Sequence, residues 1–398
     1  MRIIRRYLLR LLLLLIPCRD WSFDVGISFY AIDIVLLVVA FDYLISAGRR
    51  FLSKFDVVYL STGVPGILAL LPLILISDFE LVLFGVIGLV KFLLYVVGFF
   101  WTRDLYREGF YRRSVNRLLF SSFIVFSIIA LINFYTLSSY DVDFLGDFFD
   151  SISVRPSYIP PNHLQLTYWI RNTSFAGEPN FLAIWSILTY LFLIKTKSGR
   201  LFNGLLLLLC GLVTISTFSR IALGILVVLF LSYMYELFSK RKVVFLSLLM
   251  AFVPLVSSNV VLDDRVKNII ESAQNRNYSG DDGRLEIFNQ SFEIFLSNPF
   301  GSALSNYGRV ARRFGLSYEP NPHNSYLIWL VEGGVLGIAA FGMFLLSILR
   351  NYFLKFGLRE TILVSAVLLA LFVNVFDKVF GYFLLLVLPL TEKHNAYD

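Results

Sequence analysis

Arginine recurs at one kind of place in this chain, the ends of its apolar blocks. Arg171 precedes the block that begins near Phe181, and Arg220 sits in the short turn Thr217-Phe218-Ser219-Arg220 between two others. Arg265, Arg284, Arg309, Arg312 and Arg313 share one long polar segment. A guanidinium held near hydrocarbon is costly, so it usually has an anionic partner or a task. Its planar fork suits phosphate oxygens, and the pyrophosphate of a lipid-linked sugar lies at this depth. The competing reading is snorkelling to the headgroups or pairing with a loop carboxylate. It applies above all to Arg309, Arg312 and Arg313.

Two further groups could handle protons. His323, in His323-Asn324-Ser325, opens an apolar run after Pro320-Asn321-Pro322. A helix start and neighbouring arginines both disfavour the charged imidazole, leaving the neutral form that a general base requires. The alternative is a structural histidine. Glu178-Pro179-Asn180 opens another run, with Pro179 suited to the first helical position and Glu178 to the cap. It is either a plain helix start or a carboxylate that orients an arginine or meets a sugar hydroxyl. Asp141-Val142-Asp143 has the spacing of a metal pair found in some sugar transferases, but such spacing arises readily in an acidic loop that also holds Asp147 and Asp150. No metal or cofactor is therefore expected, and neither His163 nor His394 is assigned chemistry.

Elements that could position these residues follow from composition. The chain is 57% hydrophobic and only 16% charged, with mean hydropathy +0.73. A soluble domain needs about a quarter of its residues charged, so an integral membrane protein is the expected class. Apolar blocks near the length of the ~30 Å hydrocarbon core fall at 4–17, 24–46, 56–77, 79–101, 117–137, 180–195, 201–218, 220–237, 243–260, 324–349, 361–376 and 378–391. The expectation is an all-α polytopic transmembrane helix bundle of about 12 spans, forming a single domain over 1–398. Lys and Arg alternate along it. Arg49, Arg50 and Lys54, then Arg103 to Arg117, then Lys195 to Arg200, then Lys240 to Lys242 mark one side, and the positive-inside rule makes that side cytoplasmic. Both termini then lie inside, and the long segments 138–172 and 259–322 lie outside, where function tends to sit. The dispersed basic residues exclude a nucleic-acid surface. Cys18 and Cys210 are too far apart to suggest a disulfide framework or metal motif.

Within 259–322 the residues Leu285, Phe288, Phe292, Phe295 and Leu296 fall at helical spacing. Asp282 is placed to cap this helix and Asn298-Pro299-Phe300-Gly301 to stop it. Such a helix is expected to lie flat on the bilayer or on the tops of the spans.

Four stretches, in order, resemble the bacterial O-antigen polymerase and ligase superfamily, whose members are Wzy-type polymerases and WaaL-type ligases. They are Ser174-Phe175-Ala176-Gly177-Glu178-Pro179-Asn180, Thr217-Phe218-Ser219-Arg220, Gly283-Arg284 through Asn298-Pro299-Phe300-Gly301, and His323-Asn324-Ser325-Tyr326 through Glu332-Gly333-Gly334-Val335-Leu336-Gly337. The likeness covers residues 170–345. One departure is Ile221-Ala222, where many relatives have glycine. The resemblance implies a GT-C-like, metal-independent, inverting glycosyltransferase of the inner membrane, with its active site facing the periplasm. Its donor would be an undecaprenyl-pyrophosphate-linked oligosaccharide, and its partners membrane lipids and a polysaccharide chain-length regulator. Carried over, Arg220 and Arg284 would hold the pyrophosphate and His323 would activate the acceptor hydroxyl. Glu178 is the second catalytic candidate, and Arg171, Arg265, Asn180 and Asn324 are candidates for binding substrate.

That chemistry agrees with the residues. Guanidinium groups can replace a divalent cation on the developing charge of a pyrophosphate leaving group, so the base need remove only one hydroxyl proton. The leading expectation is polymerisation of lipid-linked repeat units, with transfer of polymer to lipid A–core as the closest rival. A transporter of lipid-linked glycans is the rival from another class. It would use ionisable groups at mid-membrane, and the candidates there are Lys91, Asp33 and Asp42.

Overall fold

The computed structural model describes residues 2–16, 21–24, 28–46, 54–140, 145, 155–156, 179–194, 200–217, 219, 222–227, 229–230, 279–315 and 325–348. Among these the chain is helical apart from one small sheet. Helices α1 (Arg2–Leu15) and α2 (Ala31–Ser46) are joined through strands β1 (Trp21–Asp24) and β2 (Ser28–Tyr30). Strand β3 (Arg155–Pro156), from the expected outer segment 138–172, pairs antiparallel with β1, giving the order β2-β1-β3. Residues 24–30, placed at the head of a span by hydropathy, are thus partly sheet, and the helix starts at Ala31.

The expected span 56–77 is broken into α3 (Lys54–Ser61), α4 (Val64–Leu68) and α5 (Leu70–Leu75). Pro65 and Pro72 lack the amide hydrogen that would continue the ladder, and Thr62 turns its hydroxyl back to the Tyr59 carbonyl at 2.7 Å. Then come the long hairpin α6 (Phe79–Arg107) and α7 (Gly109–Tyr140), followed by α8 (Pro179–Ile194) and α9 (Arg200–Ser216). Asp78 caps α6 by accepting the Leu81 amide at 3.3 Å. Every residue of α8 from Phe181 to Leu193 is buried, as befits a helix apolar on all sides at the centre of a bundle. In α9, by contrast, Leu206, Leu207, Cys210, Val213 and Thr214 face inward while Leu205, Leu208, Leu212 and Ile215 are exposed. A face of bare leucine suits lipid and not water.

The last described elements are α10 (Ser279–Ser297), α11 (Tyr307–Arg313) and α12 (Ser325–Ile348). Among the described residues three helical stretches are, by length and composition, long and apolar enough to cross a bilayer: Phe79–Arg107, Phe110–Thr136 and Tyr326–Phe344. The third is not straight. Gly334 takes φ 61° and ψ −153°, and the Trp329 and Phe341 rings stack with centroids 5.5 Å apart. Twelve residues along a straight helix would put them about 18 Å apart. The chain therefore folds back at Gly334, and the expected single span 324–349 is corrected to two helical arms. The expected spans 243–260, 361–376 and 378–391 lie outside the described residues.

Contacts between distant segments agree with the alternation of basic loops. The β1–β3 pairing joins two segments assigned to one side. At the opposite side Arg6 and Arg10 both donate to the Ser114 hydroxyl, at 3.2 and 3.0 Å, bringing the start of α1 to the start of α7. Lys91, Asp33 and Asp42, the ionisable groups expected near mid-membrane, are paired. Lys91 lies 3.5 Å from Asp33, which also accepts the Tyr95 hydroxyl at 2.9 Å. Asp42 meets Arg5 at 2.9 Å and the Trp101 indole N–H at 2.7 Å. All three mid-membrane candidates thus take part in contacts between helices.

Candidate functional site

The start of α8, the end of α9 and the start of α6 share one end of the bundle. Helices α8 and α9 are consecutive and packed side by side, joined by five residues, so the start of one lies at the end of the other. Leu193 and Phe202 lie with Arg113 and Asn116 around the start of α7, so the start of α8 points towards the opposite end, where α6 begins. Pro179 is the first residue of α8 and Asn180 the second, as the sequence predicts, while Glu178 and Arg171 lie outside the described residues.

The turn predicted around Arg220 is present on both sides of it. Thr217 donates to the Thr214 carbonyl at 2.7 Å and closes α9, and its hydroxyl oxygen accepts the Ser219 amide at 3.3 Å. The Leu223 amide then donates to the Ser219 carbonyl at 2.9 Å, starting a new helical turn. Ala222, at the departure from glycine, is fully buried there. Arg220 itself lies outside the described residues.

Helix α10 carries Arg284 in its second turn and begins at Ser279. Asp282 is therefore inside the helix and is not its cap. The helix stops at Ser297, before Asn298-Pro299, as expected. It rests on its neighbours through Ser291 and Ile294, both buried, with Ile287 partly buried beside them. Of the predicted stripe, Phe288, Phe292 and Leu296 are exposed and Phe295 is partly buried, leaving an apolar face of the kind that a helix on a bilayer surface would turn to lipid. The face packed on the protein is the adjacent one, where Ser291 meets the buried Tyr307 hydroxyl at 2.7 Å. Burial pushes the Tyr307 phenol up and the Ser291 bond pulls it down, with burial the larger effect.

Helix α10 packs against α12, the helix that follows His323 and Asn324. Thus the elements that carry or adjoin Arg284 and His323 are neighbours. His323, Asn324 and Arg265 lie outside the described residues, as do Asp141 and Asp143, and only the backbones of Arg284 and Asn180 are described.

Two of the sequence stretches interlock directly. The Val335 amide donates to the Pro299 carbonyl at 3.0 Å, and the Ser302 amide donates to the Val331 carbonyl at 3.0 Å. Asn298 closes the turn by donating to the Gly301 carbonyl at 2.7 Å. Glu332 is buried, and its Oε1 accepts the Tyr307 amide at 2.9 Å, so the acid within the apolar run caps α11. Gly334 and Gly301 permit this contact. Both have positive φ, and a Cβ on either would collide with backbone of the opposite stretch, Pro299 and Phe300 or Glu332 and Gly333.

Beyond Gly301 the chain runs through Ala303 and Ser305, each at φ 64°, a conformation that costs about 1–3 kcal/mol per residue. The surroundings hold it. Buried Asn306 donates to both the Leu81 and Ser302 carbonyls at 2.7 Å. A Cβ at Gly88 of α6 would lie 2.7 Å from the Leu304 carbonyl oxygen, so glycine there lets the loop reach the helix. The sequence assigns no role to Asn306, Tyr307 or Glu332, and to Asn298 only that of stopping α10. The available signal was a lone carboxylate, Glu332, in an apolar run between glycines.

For two of the loop arginines, Arg309 and Arg313, the competing reading of pairing with carboxylates holds, the partners being at the start of α6. Arg313 bonds both Asp78 and Glu80, and Arg309 lies 3.6 Å from Glu80 with its guanidinium over the Phe84 ring. The Arg313 hydrogen bond holds the Asp78 carboxyl below its usual range, while burial lowers Arg309. Neither arginine is free to hold a ligand phosphate without giving up a carboxylate.

Residues 205–342, about a third of the 398, match the protein family described as O-antigen ligase. The match is consistent with the O-antigen polymerase and ligase superfamily that the sequence stretches resemble. It takes in Arg220, Arg265, Arg284, His323 and Asn324, and it excludes Arg171, Glu178 and Asn180. No curated protein matches the chain.

Proposed function

We propose that this protein is a membrane glycosyltransferase that polymerises undecaprenyl-pyrophosphate-linked repeat units of O-antigen or a related surface polysaccharide. The site would face the periplasm, with both chain ends in the cytoplasm of a bacterial cell and the spans in its inner membrane. The reading is carried by the family match over 205–342, which includes five of the eight candidate residues. The packing of α10 on α12 and the interlocked stretches at their junction support it.

In this reading Arg220 and Arg284 grip the pyrophosphate and neutralise charge as the leaving group departs. His323 takes the proton of the acceptor hydroxyl, and the hydroxyl oxygen attacks the anomeric carbon from the opposite face, inverting it. Arg171, Arg265, Asn180 and Asn324 bind the glycan or its carrier, and Glu178 orients an arginine or a sugar hydroxyl. The family description favours a second reading, a ligase that passes the polymer to lipid A–core. The two share a donor and differ in acceptor.

The test gives purified protein a lipid-pyrophosphate repeat unit in detergent, with and without lipid A–core. Chain growth without core supports the polymerase, and transfer only in its presence supports the ligase. No glycosidic product under either condition overturns the enzymatic reading. In cells, Arg220→Ala or Arg284→Ala should abolish polymer at normal protein level, Arg220→Lys should leave partial activity at most, and His323→Ala should cut activity by about 10²-fold or more.

A further inference from the structure

At the end of the bundle away from the interlocked loops, a cleft of about 410 Å³ is lined by Arg113, Asn116, Arg117 and Phe120 of α7, Leu193 of α8 and Phe202 of α9. Among the described residues no carboxylate lines it. Arg113 and Arg117 are one helical turn apart on the same face and both exposed, and neither has an acidic partner among the described residues. Asn116 receives the Tyr106 hydroxyl on its carbonyl oxygen at 3.2 Å, which leaves its amide group to donate. Beneath these polar groups the Phe120 and Phe202 rings meet at 5.3 Å, and Leu193 is buried.

The cleft is polar at its rim and aromatic at its floor, and its depth in the bilayer follows from α7. The apolar stretch Phe110–Thr136 has 27 residues, roughly 40 Å of helix, which matches a hydrocarbon core together with its headgroup layers. Arg113 and Arg117 stand about 5 and 10 Å along it from Phe110, at the boundary between headgroups and acyl chains. Two guanidinium groups at that boundary, with no acidic partner among the described residues, suit an anion. A phosphate with an acyl chain attached would satisfy both the cations and the apolar floor, whereas a free phosphate would leave the aromatic rings unused.

We infer that this cleft binds the phosphate of an anionic phospholipid from the leaflet at the basic end of the bundle, held by Arg113 and Arg117 with its chains against Phe120 and Phe202. The site is separate from the proposed glycan site at the opposite end and does not depend on that assignment.

The test is native mass spectrometry on the full-length protein in detergent, titrated with dioleoylphosphatidylglycerol or dioleoylphosphatidylcholine. Wild type should retain the glycerol lipid preferentially. The double variant Arg113→Gln/Arg117→Gln should weaken that binding roughly thirtyfold, from two cations acting near a membrane surface. Arg113→Lys/Arg117→Lys should fall between the two, because it keeps charge and loses the fork. Arg312→Gln, an exposed arginine in α11, should leave binding unchanged. Full phosphatidylglycerol retention in the double glutamine variant would overturn the inference, as would equal losses in Arg312→Gln or equal retention of the two lipids by wild type. Displacement of the lipid by millimolar inorganic phosphate would make this a general anion site and would also overturn it.

Discussion

Helix α6 is held in two different ways along its length. In its inner part, from Lys91 to Trp101, it packs as helix on helix. Asp33 and Asp42 find Lys91, Tyr95 and Trp101, and Tyr59 meets Phe92, Phe99 and Phe100 edge-on at 5.6 to 6.3 Å. At its start, from Asp78 to Gly88, the partner is an irregular loop with backbone in left-handed conformations, fixed by single hydrogen bonds from Asn306 and by the Arg313 latch. The first arrangement tolerates repacking, because regular helices retain their own backbone bonds whatever lies beside them. The second does not, since each irregular backbone group depends on one named partner. Strained backbone held this way is a recurring feature of functional sites, and here it joins two of the stretches shared with the O-antigen superfamily.

Substitutions that spare or strike the irregular end measure this contrast. Gly334→Ala places a Cβ against Pro299 and Phe300 at a positive φ; it should cost more than about 3 kcal/mol and eliminate the monodisperse peak in size-exclusion chromatography. Equal loss from Gly211→Ala in α9, where among the described residues a Cβ meets only Leu226, at 3.8 Å, would erase the contrast between regular helix packing and the irregular loop. Glu332→Leu strands the buried Tyr307 amide and should cost about 1–3 kcal/mol. Glu332→Gln keeps an acceptor oxygen and should cost less than about 1 kcal/mol, so the difference between their melting temperatures isolates the cap. Asn306→Ala removes two hydrogen bonds to carbonyls and should cost about 1–2 kcal/mol in thermal melts.

The exposed latch should contribute least. Arg313→Ala is expected to cost at most about 1 kcal/mol, falling with added salt. Because Arg313 depresses Asp78, the latch contributes fully above the ordinary aspartate range near pH ~4 and is lost as pH falls through the lower folded value. The melting difference between wild type and Arg313→Ala should therefore be constant near neutrality and narrow in acid. A difference that grows on acidification would show that Asp78 is not its origin.

Hydropathy alone located α1, α2, α6, α7, α8 and α9 to within several residues at most ends, and Pro179 and the Asn298-Pro299 stop marked helix ends correctly. Each of these is a local property: an apolar run of a given length, or a residue that cannot continue a ladder. The break of 56–77 was also written locally, in Pro65 and Pro72, but an apolar average over the window hides it. For the candidate site, the sequence named the helix that bears Arg284 and the turn around Arg220, and both are found. The side chains of Arg220, Arg284 and His323 lie outside what the structure describes, so their roles rest on residue type and family likeness.

Sequence by itself determined that the chain is a membrane protein built of helices, with basic loops marking one side, because transfer free energy and positive charge bias are sums over residues in short windows. Tertiary structure alone decided that α12 folds back at Gly334, that α10 turns Ser291 inward and Phe288 and Phe292 outward, and that Glu332 caps a helix 25 residues upstream. Those outcomes depend on which distant backbone groups and side chains meet. A glycine, a serine and a glutamate carry no record of their partners until the chain brings them together.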